Sequence, residues 1–111
     1  SSKDIKIMLF RASLTLKGRQ FDTSVGRIDL LFEDKGGNPV IVELKLNKIG
    51  REAIKQLKRY MDWAKKETKK DVTGIIVCKG VMPAFEKEFK KINNIKILFY
   101  GWQLKIYPPR E

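Results

Sequence analysis

Apolar and polar residues alternate along three segments near the start of the chain, and this pattern predicts strands over residues 13–23, 25–33 and 40–46. The run DKGGNP joins the second and third segments. Its two glycines tolerate positive φ, and Asn38 and Pro39 are suited to closing a tight turn. We therefore expect the second and third strands to form a hairpin.

A period of 3.6 residues replaces the alternation over residues 49–70, which predicts an amphipathic helix. The apolar positions that carry this period are Ala53, Ile54, Leu57, Met61 and Ala64. The apolar run VTGIIVC over residues 72–78 then predicts a buried strand after the helix.

A second helix is expected over residues 83–92, because Pro83 suits a first helical turn. Residues 95–100 and 102–107 are predicted to be closing strands, whereas residues 1–10 fit either a helix or an extended segment. The resulting order is β-β-β-α-β-α-β-β, a hairpin followed by crossover helices. It predicts an α/β fold with a mixed β-sheet flanked by helices.

The chain length predicts one domain. Its 111 residues are too few for two domains, so residues 1–111 are expected to form a single unit. The chain begins with Ser1 rather than Met, which favours a processed or excised fragment that lacks an N-terminal domain.

The composition is strongly basic. Lysine and arginine number 24 against 13 aspartates and glutamates, a formal net charge of +11. A surplus of this size on a small domain attracts polyanions and makes their binding salt-dependent, so nucleic acid is the expected partner. A Lys-rich solubility surface is the alternative explanation. A membrane is not expected, because the chain has no basic amphipathic tail and no apolar run of roughly 18 residues.

Histidine is absent, and Cys78 is the only cysteine. This composition excludes Ser-His-Asp and Cys-His nucleophiles, an internal disulfide and cysteine-rich zinc sites. Cys78 lies in an apolar run, where a buried and unreactive thiol is expected, and a free thiol fits a reducing cytoplasm. An enzyme of this composition depends on carboxylates, lysine and a hard metal ion.

Two charged residues interrupt the apolar strand VIVELKL. Because alternate residues of a strand share a face, Glu43 and Lys45 are expected side by side, with Val42, Leu44 and Leu46 on the opposite face. Asp29 lies in the partner strand, within cross-strand distance of Glu43. Charges in so apolar a strand carry a burial penalty that a solvated face would not.

Two converging carboxylates repel each other unless a positive charge lies between them. Mg²⁺ (or Mn²⁺) fits that need, since it takes one or two carboxylates and keeps several waters for a substrate phosphate. Asp29, Glu43 and the carbonyl of Leu44 are the candidate ligands, and Lys45 would orient the attacking water or stabilise the oxyanion. The alternative is a surface ion pair between Glu43 and Lys45 on an edge strand, worth less than about 1 kcal/mol.

The predicted helix adds Gln56 and Tyr60, which share one face at a spacing of four residues. They form either a partly buried aromatic face or part of the site, with Gln56 holding the nucleophile or a phosphate oxygen and Tyr60 contacting the DNA backbone. Basic residues on and before the helix are expected to follow DNA phosphates without reading sequence. These are Lys48, Arg51, Lys55 and Arg59.

The residues Asp29, Glu43, Leu44 and Lys45 resemble the D…ExK signature of the PD-(D/E)XK nuclease superfamily, and QLKRY is similar to the QxxxY motif of its RecB-like branch. Over residues 18–78 the sequence most resembles the C-terminal nuclease domain of the archaeal NucS/EndoMS endonucleases. The D…ExK motif alone is weak, whereas its combination with the glycine turn and QxxxY is considerably more specific.

The resemblance implies a restriction-endonuclease-like core and a metal-dependent DNA endonuclease of repair or recombination, acting on branched or mismatched DNA. In that family, a helix before the first strand often carries a further active-site glutamate. Here no glutamate precedes Glu33, and only Asp4 or Asp22 could substitute. One acidic cluster cuts one strand at a time, so double-strand cleavage would require a homodimer.

Two other functions remain open from the sequence. A non-catalytic DNA-binding module derived from a nuclease fold would bind DNA with the same salt dependence but without metal-dependent turnover. An RNA-binding domain is the third, and the chain has no recognisable RNA-binding aromatic motif to support it.

Overall fold

A computed structural model describes residues 13–100; the predictions for residues 1–10 and 102–107 lie outside this range. The strands are β1 (Thr15–Thr23), β2 (Gly26–Glu33), β3 (Pro39–Leu44), β4 (Lys48–Ile49), β5 (Thr73–Cys78), β6 (Gly80–Val81) and β7 (Ile95–Phe99). The helices are α1 (Arg51–Thr68), a 3-10 helix (Pro83–Phe85) and α2 (Glu86–Phe89).

Five strands form one mixed sheet in the order β1-β2-β3-β5-β7. The first three are antiparallel, and β5 and β7 continue the sheet in parallel with β3. This arrangement confirms the predicted α/β fold with a mixed sheet, because a hairpin gives antiparallel neighbours and a crossover helix gives parallel ones. Strand β3 is therefore in the middle of the sheet.

The turn between β2 and β3 confirms the predicted hairpin. The carboxylate Oδ1 of Asp34 accepts the N–H groups of Gly36 and Asn38, both at 2.9 Å. Of the two glycines, only Gly37 adopts positive φ, at 79°. One glycine is therefore sufficient here, since the Asp34 side chain fixes the rest of the turn.

Helix α1 packs its apolar face on the sheet. Its buried residues Ile54, Leu57, Tyr60 and Ala64 join one core cluster with residues of β2, β3 and β5. Gly74 of β5 permits close approach, because a Cβ there would lie 2.6 Å from Sδ of Met61. Within residues 13–100, no helix is long and apolar enough to cross a membrane.

Cys78 is fully buried at the end of β5, which confirms its predicted environment. Its thiol donates to the carbonyl oxygen of Gly80 at 3.4 Å. Burial raises the pKa of the thiol to about 11. The thiolate is therefore scarce at neutral pH, and the residue is unreactive.

Three predicted elements are shorter than expected. The helix predicted over residues 49–70 spans Arg51–Thr68, and Ile49 belongs to β4 instead. The strand predicted to reach residue 46 ends at Leu44, because the chain then turns into β4, which pairs with β6 in a small separate sheet that the sequence did not indicate. The second helix ends at Phe89 rather than at residue 92. There, the N–H groups of Lys91 and Ile92 bond three residues back, which tightens the last turn.

Candidate active site

Asp29 and Glu43 meet at the point where β2 and β3 stop pairing regularly. The last regular pair is Leu30 with Val42. Beyond it, the N–H of Asp29 donates to Oε2 of Glu43 at 2.9 Å, and the N–H of Leu44 donates to Oδ2 of Asp29 at 2.8 Å. The two carboxylates therefore converge, as the sequence predicted, and each is fixed by the other's strand.

An irregularity in β2 positions Asp29. Ile28 packs in the core cluster beneath α1, whereas Leu30, two residues later, packs in the cluster on the opposite face of the sheet. The strict alternation of a strand therefore fails at Asp29. On the neighbouring strand, Gln20 has φ of 46° and no paired residue. This local distortion directs the amide and carboxylate of Asp29 toward the end of β3.

Glu43 is a buried carboxyl group in the central strand, with 3% of its surface exposed. Burial raises its pKa from 4.5 to about 7; the Asp29 carboxylate adds to this rise, while the Asp29 N–H and Lys45 oppose it. A carboxylate in this environment needs a proton or a bound cation for compensation. Binding of a proton or a cation at Glu43 is therefore favourable.

Lys45 bonds to α1 rather than forming an ion pair with the acids. Its ammonium donates to Oε1 of Gln56 at 2.9 Å, which brings together two of the predicted site residues. Residues 13–100 contain no ion pair between Lys45 and Glu43, and β3 is a central strand. The alternative of a solvated ion pair on an edge strand is therefore wrong.

Tyr100 also contacts this segment, although no motif in the sequence indicates it. Its hydroxyl donates to the carbonyl oxygen of Lys45 at 2.8 Å. The N–H of Lys45 donates to the carbonyl of Val77 at 2.8 Å. The backbone of Lys45 is therefore fixed on both sides by β5 and by the residue that follows β7. Tyr100 and Lys45 are distant in sequence and meet because of the order of the strands, which a local sequence motif does not reveal.

Tyr60 lies beneath the acids, in the core. Only 3% of it is exposed, and burial together with the Glu43 and Asp29 carboxylates raises the pKa of its hydroxyl. The structure thus places Tyr60 at the site, but its burial argues against the expected contact with the DNA backbone. Of the two interpretations of the helix face, the buried aromatic one applies to Tyr60.

A groove of about 440 Å³ adjoins the site. Two of the four predicted phosphate-contacting residues line it, Lys48 and Arg59, together with Lys45 and Gln56. The other two have acidic neighbours. Arg51 donates from Nε to Glu88 at 3.1 Å, and Lys55 lies 3.9 Å from Glu52.

The acids fit a small hard cation in number and type. Within residues 13–100 no cluster of three or more His, Cys, Asp or Glu side chains occurs, so Asp29 and Glu43 are the available pair. Mg²⁺ accepts one or two carboxylates and retains waters. Residues 13–100 donate no hydrogen bond to Oδ1 of Asp29 or Oε1 of Glu43, so within this range one oxygen of each acid could coordinate a cation.

The sequence offered two residues, Asp22 and Asp4, that could replace the further active-site glutamate of the family. Asp22 is exposed and accepts Nε of Arg27 at 2.8 Å, so it forms a surface ion pair instead of joining Asp29 and Glu43. Asp4 lies outside the described residues. The described part of the site therefore has two acids.

Comparisons with known proteins find similar sequences over most of the chain, including the candidate site. The Endonuclease NucS C-terminal domain family matches residues 5–110. Endonuclease NucS of Pyrococcus abyssi is 40% identical over 78 residues, covering 64% of this chain and 31% of the relative. Endonuclease NucS of Methanocaldococcus jannaschii is 35% identical over 86 residues, covering 70% and 33%.

Solved structures show the same fold. A repair endonuclease from Pyrococcus abyssi superposes with a TM-score of 0.70 and 27% identity, covering 98% of this chain and 48% of that one. EndoMS in its complex with double-stranded DNA gives a TM-score of 0.70 at 22% identity, covering 100% and 46%. The chain thus spans about half the length of these structures and a third of the length of the aligned relatives.

Proposed function

The chain belongs to the Endonuclease NucS C-terminal domain family, and from that premise we propose that it is a metal-dependent DNA endonuclease of the PD-(D/E)XK type that acts in DNA repair. The observation that carries the proposal is the pair Asp29 and Glu43, held by reciprocal hydrogen bonds beside Lys45. The 27% identical Pyrococcus abyssi structure is a repair endonuclease, which supports the assignment to repair.

Three groups would hold Mg²⁺ or Mn²⁺: the carboxylates of Asp29 and Glu43 and the main-chain carbonyl of Leu44. When bound, such an ion lowers the pKa of a coordinated water and neutralises charge on the phosphate. The chain's own contribution is to keep the two acids together despite their repulsion. Two backbone amides do this: the N–H of Asp29 donates to the Glu43 carboxylate, and the N–H of Leu44 donates to the Asp29 carboxylate.

Lys45 supplies the positive charge that the substrate needs. Its ammonium has three N–H donors, and Gln56 occupies one of them at 2.9 Å. Within residues 13–100 this ammonium has no other hydrogen-bond partner, so its other donors would orient the attacking water or stabilise negative charge on the phosphate. Gln56 therefore acts as a positioning residue, since it fixes the ammonium without contacting the bond that breaks.

DNA would lie along the groove beside this site. Lys48 and Arg59 line the groove and have the charge to contact DNA phosphates near the bond that is cut. The net charge of +11 favours the same partner through long-range attraction. Contacts of this kind fix the register of DNA but carry no sequence information, so the DNA structure would select the cutting position.

Nicking of plasmid, flap and mismatched duplex DNA tests the proposal, with Mg²⁺, with Mn²⁺ and in excess chelator. We expect metal-dependent nicking by the wild type and none by Glu43→Gln or Lys45→Ala, while circular dichroism and DNA binding stay near wild type. Equal activity in the variants or in chelator would contradict the proposal. DNA binding without nicking by the wild type would instead identify a non-catalytic module.

As a second proposal, two copies of the chain form a homodimer, because each copy has one acidic pair. A chain with one acidic pair nicks one strand per encounter, and breaking both strands at once needs two copies. Sedimentation of the chain across a concentration series, together with the ratio of nicked to linear plasmid, tests this. A monomer that linearises plasmid in one step would rule the dimer out.

A further inference from the structure

Leu46 is an apolar side chain held in solvent directly beside the site. It is 79% exposed, the highest exposure among the large hydrophobic residues in the described range. The sequence predicted it in a strand, on the same face as Val42. Because β3 ends at Leu44, its side chain instead lines the groove that contains Lys45.

The backbone on both sides of Leu46 is fixed by hydrogen bonds. The Lys45 N–H donates to Val77, and the Lys45 carbonyl accepts the hydroxyl of Tyr100, both at 2.8 Å. After Leu46, the carbonyl of Asn47 accepts the N–H of Lys79 at 3.3 Å. The side chain of Leu46 is therefore presented from a segment whose backbone is hydrogen-bonded on both sides.

Leu46 lies close to the acids along the chain. It lies three residues after Glu43, which an extended chain spans in at most roughly 10 Å. Bases on one strand repeat every 3.4 Å or so along the duplex axis, so Leu46 reaches within about three base steps of a phosphate at the acids. The charged residues that line the groove with it are three basic residues, Lys45, Lys48 and Arg59, and one acid, Glu52. This excess of positive charge suits a phosphate-rich partner.

We infer that Leu46 is a wedge that inserts at a base step beside the bond that is cut, unstacking the bases and bending the duplex across the site. Leucine is among the apolar residues that proteins insert between base steps. This inference rests on the proposed function, because it assumes that DNA occupies the groove. It adds a reason for cutting at deformable positions: a weakly stacked step lowers the free energy needed for insertion.

Fluorescence of 2-aminopurine measures the unstacking directly and needs no catalysis. Duplex and flap DNA carry the base analogue at successive positions, and the protein carries Glu43→Gln so that no strand is cut. We expect a fluorescence rise at one or two adjacent positions with Leu46 and with Leu46→Met, and none with Leu46→Asn. In the Glu43-containing protein, Leu46→Asn should nick duplex DNA at least about tenfold more slowly, because a buried leucine contact exceeds one tenfold step in free energy.

Val25→Ala is the matched control, since Val25 is also an exposed apolar residue, at 40%, but does not line the groove. It should behave as the wild type. Equal fluorescence and nicking by Leu46→Asn and the wild type would overturn the wedge. So would a loss of self-association in Leu46→Asn without a fluorescence change, because a second copy of the chain would then cover Leu46. Fluorescence that depends on Leu46 without any wild-type nicking supports the wedge and rejects the nuclease.

Discussion

Asp29 and Glu43 are joined through backbone amides. The amide of Asp29 bonds to Glu43 at 2.9 Å, and the amide after Glu43, that of Leu44, bonds to Asp29 at 2.8 Å. These two bonds replace the sheet ladder where the regular pairing of β2 and β3 ends. Backbone amides thereby hold the acids close, although like charges repel each other.

Substitutions of Asp29 separate its charge from its hydrogen bond. Asp29→Asn retains an acceptor for the Leu44 N–H and removes the repulsion on Glu43, so we expect unchanged or higher stability in chelator at neutral pH. Asp29→Ala leaves that N–H unpaired and should lower the free energy of unfolding by about 1–3 kcal/mol. Chemical denaturation measures both variants, and neither should nick DNA. Equal stability of the two variants would show that the Leu44 bond contributes nothing.

The pKa of Glu43 predicts a pH dependence of stability in chelator. Because its pKa is about 7 in the folded chain and 4.5 ordinarily, the folded state binds the proton more tightly. The stabilisation is therefore complete below about pH 4.5 and is lost as the pH rises through 7. The full difference corresponds to roughly 3 kcal/mol.

Glu43→Gln provides the comparison for this effect, since other groups also titrate. The difference in unfolding free energy between wild type and Glu43→Gln should favour the variant increasingly from about pH 4.5 to about pH 8. Divalent metal should reduce that difference, because metal and proton compete for the same carboxylate. A difference that stays constant with pH would show that Glu43 titrates normally.

Gln56 should affect turnover more than binding. Gln56→Met removes the acceptor that holds the Lys45 ammonium at 2.9 Å while preserving the size of the side chain. We expect kcat to fall by about 10- to 100-fold with little change in KM, since a misplaced group loses transition-state contacts first. Lys45→Met sets the lower limit of activity. A change in KM alone would show that Gln56 contacts DNA instead of positioning Lys45.

The sequence determined the acids and the sheet but not the geometry that joins them. Alternation in VIVELKL correctly placed Glu43 on a buried strand, and the glycine turn correctly paired that strand with β2. The irregularity at Asp29 was not predictable, because it arises where Ile28 and Leu30 pack on opposite faces of the sheet. Tyr100 could not be found either, since its contact with Lys45 depends on the order of the strands.

Gly26 leaves room for the side chain of Tyr60 beneath the acids, because it has no side chain of its own. Its φ is 134°, and a Cβ there would lie 2.9 Å from the hydroxyl oxygen of Tyr60. Gly26→Ala should therefore lower the free energy of unfolding by about 1–3 kcal/mol. Tyr60→Phe removes the crowded oxygen but leaves the backbone strain, so the double variant should recover only part of the loss. Full recovery in this cycle would assign the whole effect to the hydroxyl.

The salt dependence of DNA binding distinguishes residues in the groove from the general positive charge. Lys48 and Arg59 line the groove, whereas Lys66 lies in the last turn of α1. Lys66 follows Arg59 by seven residues, about 10 Å along the helix axis, and does not line the groove. On the Glu43→Gln background, Lys48→Ala and Arg59→Ala should each lower the slope of log affinity against log salt by about 0.9, the value for one lost phosphate contact. Lys66→Ala removes the same charge and should leave the slope nearly unchanged. If all three variants lower the slope equally, the net charge rather than the groove binds the DNA.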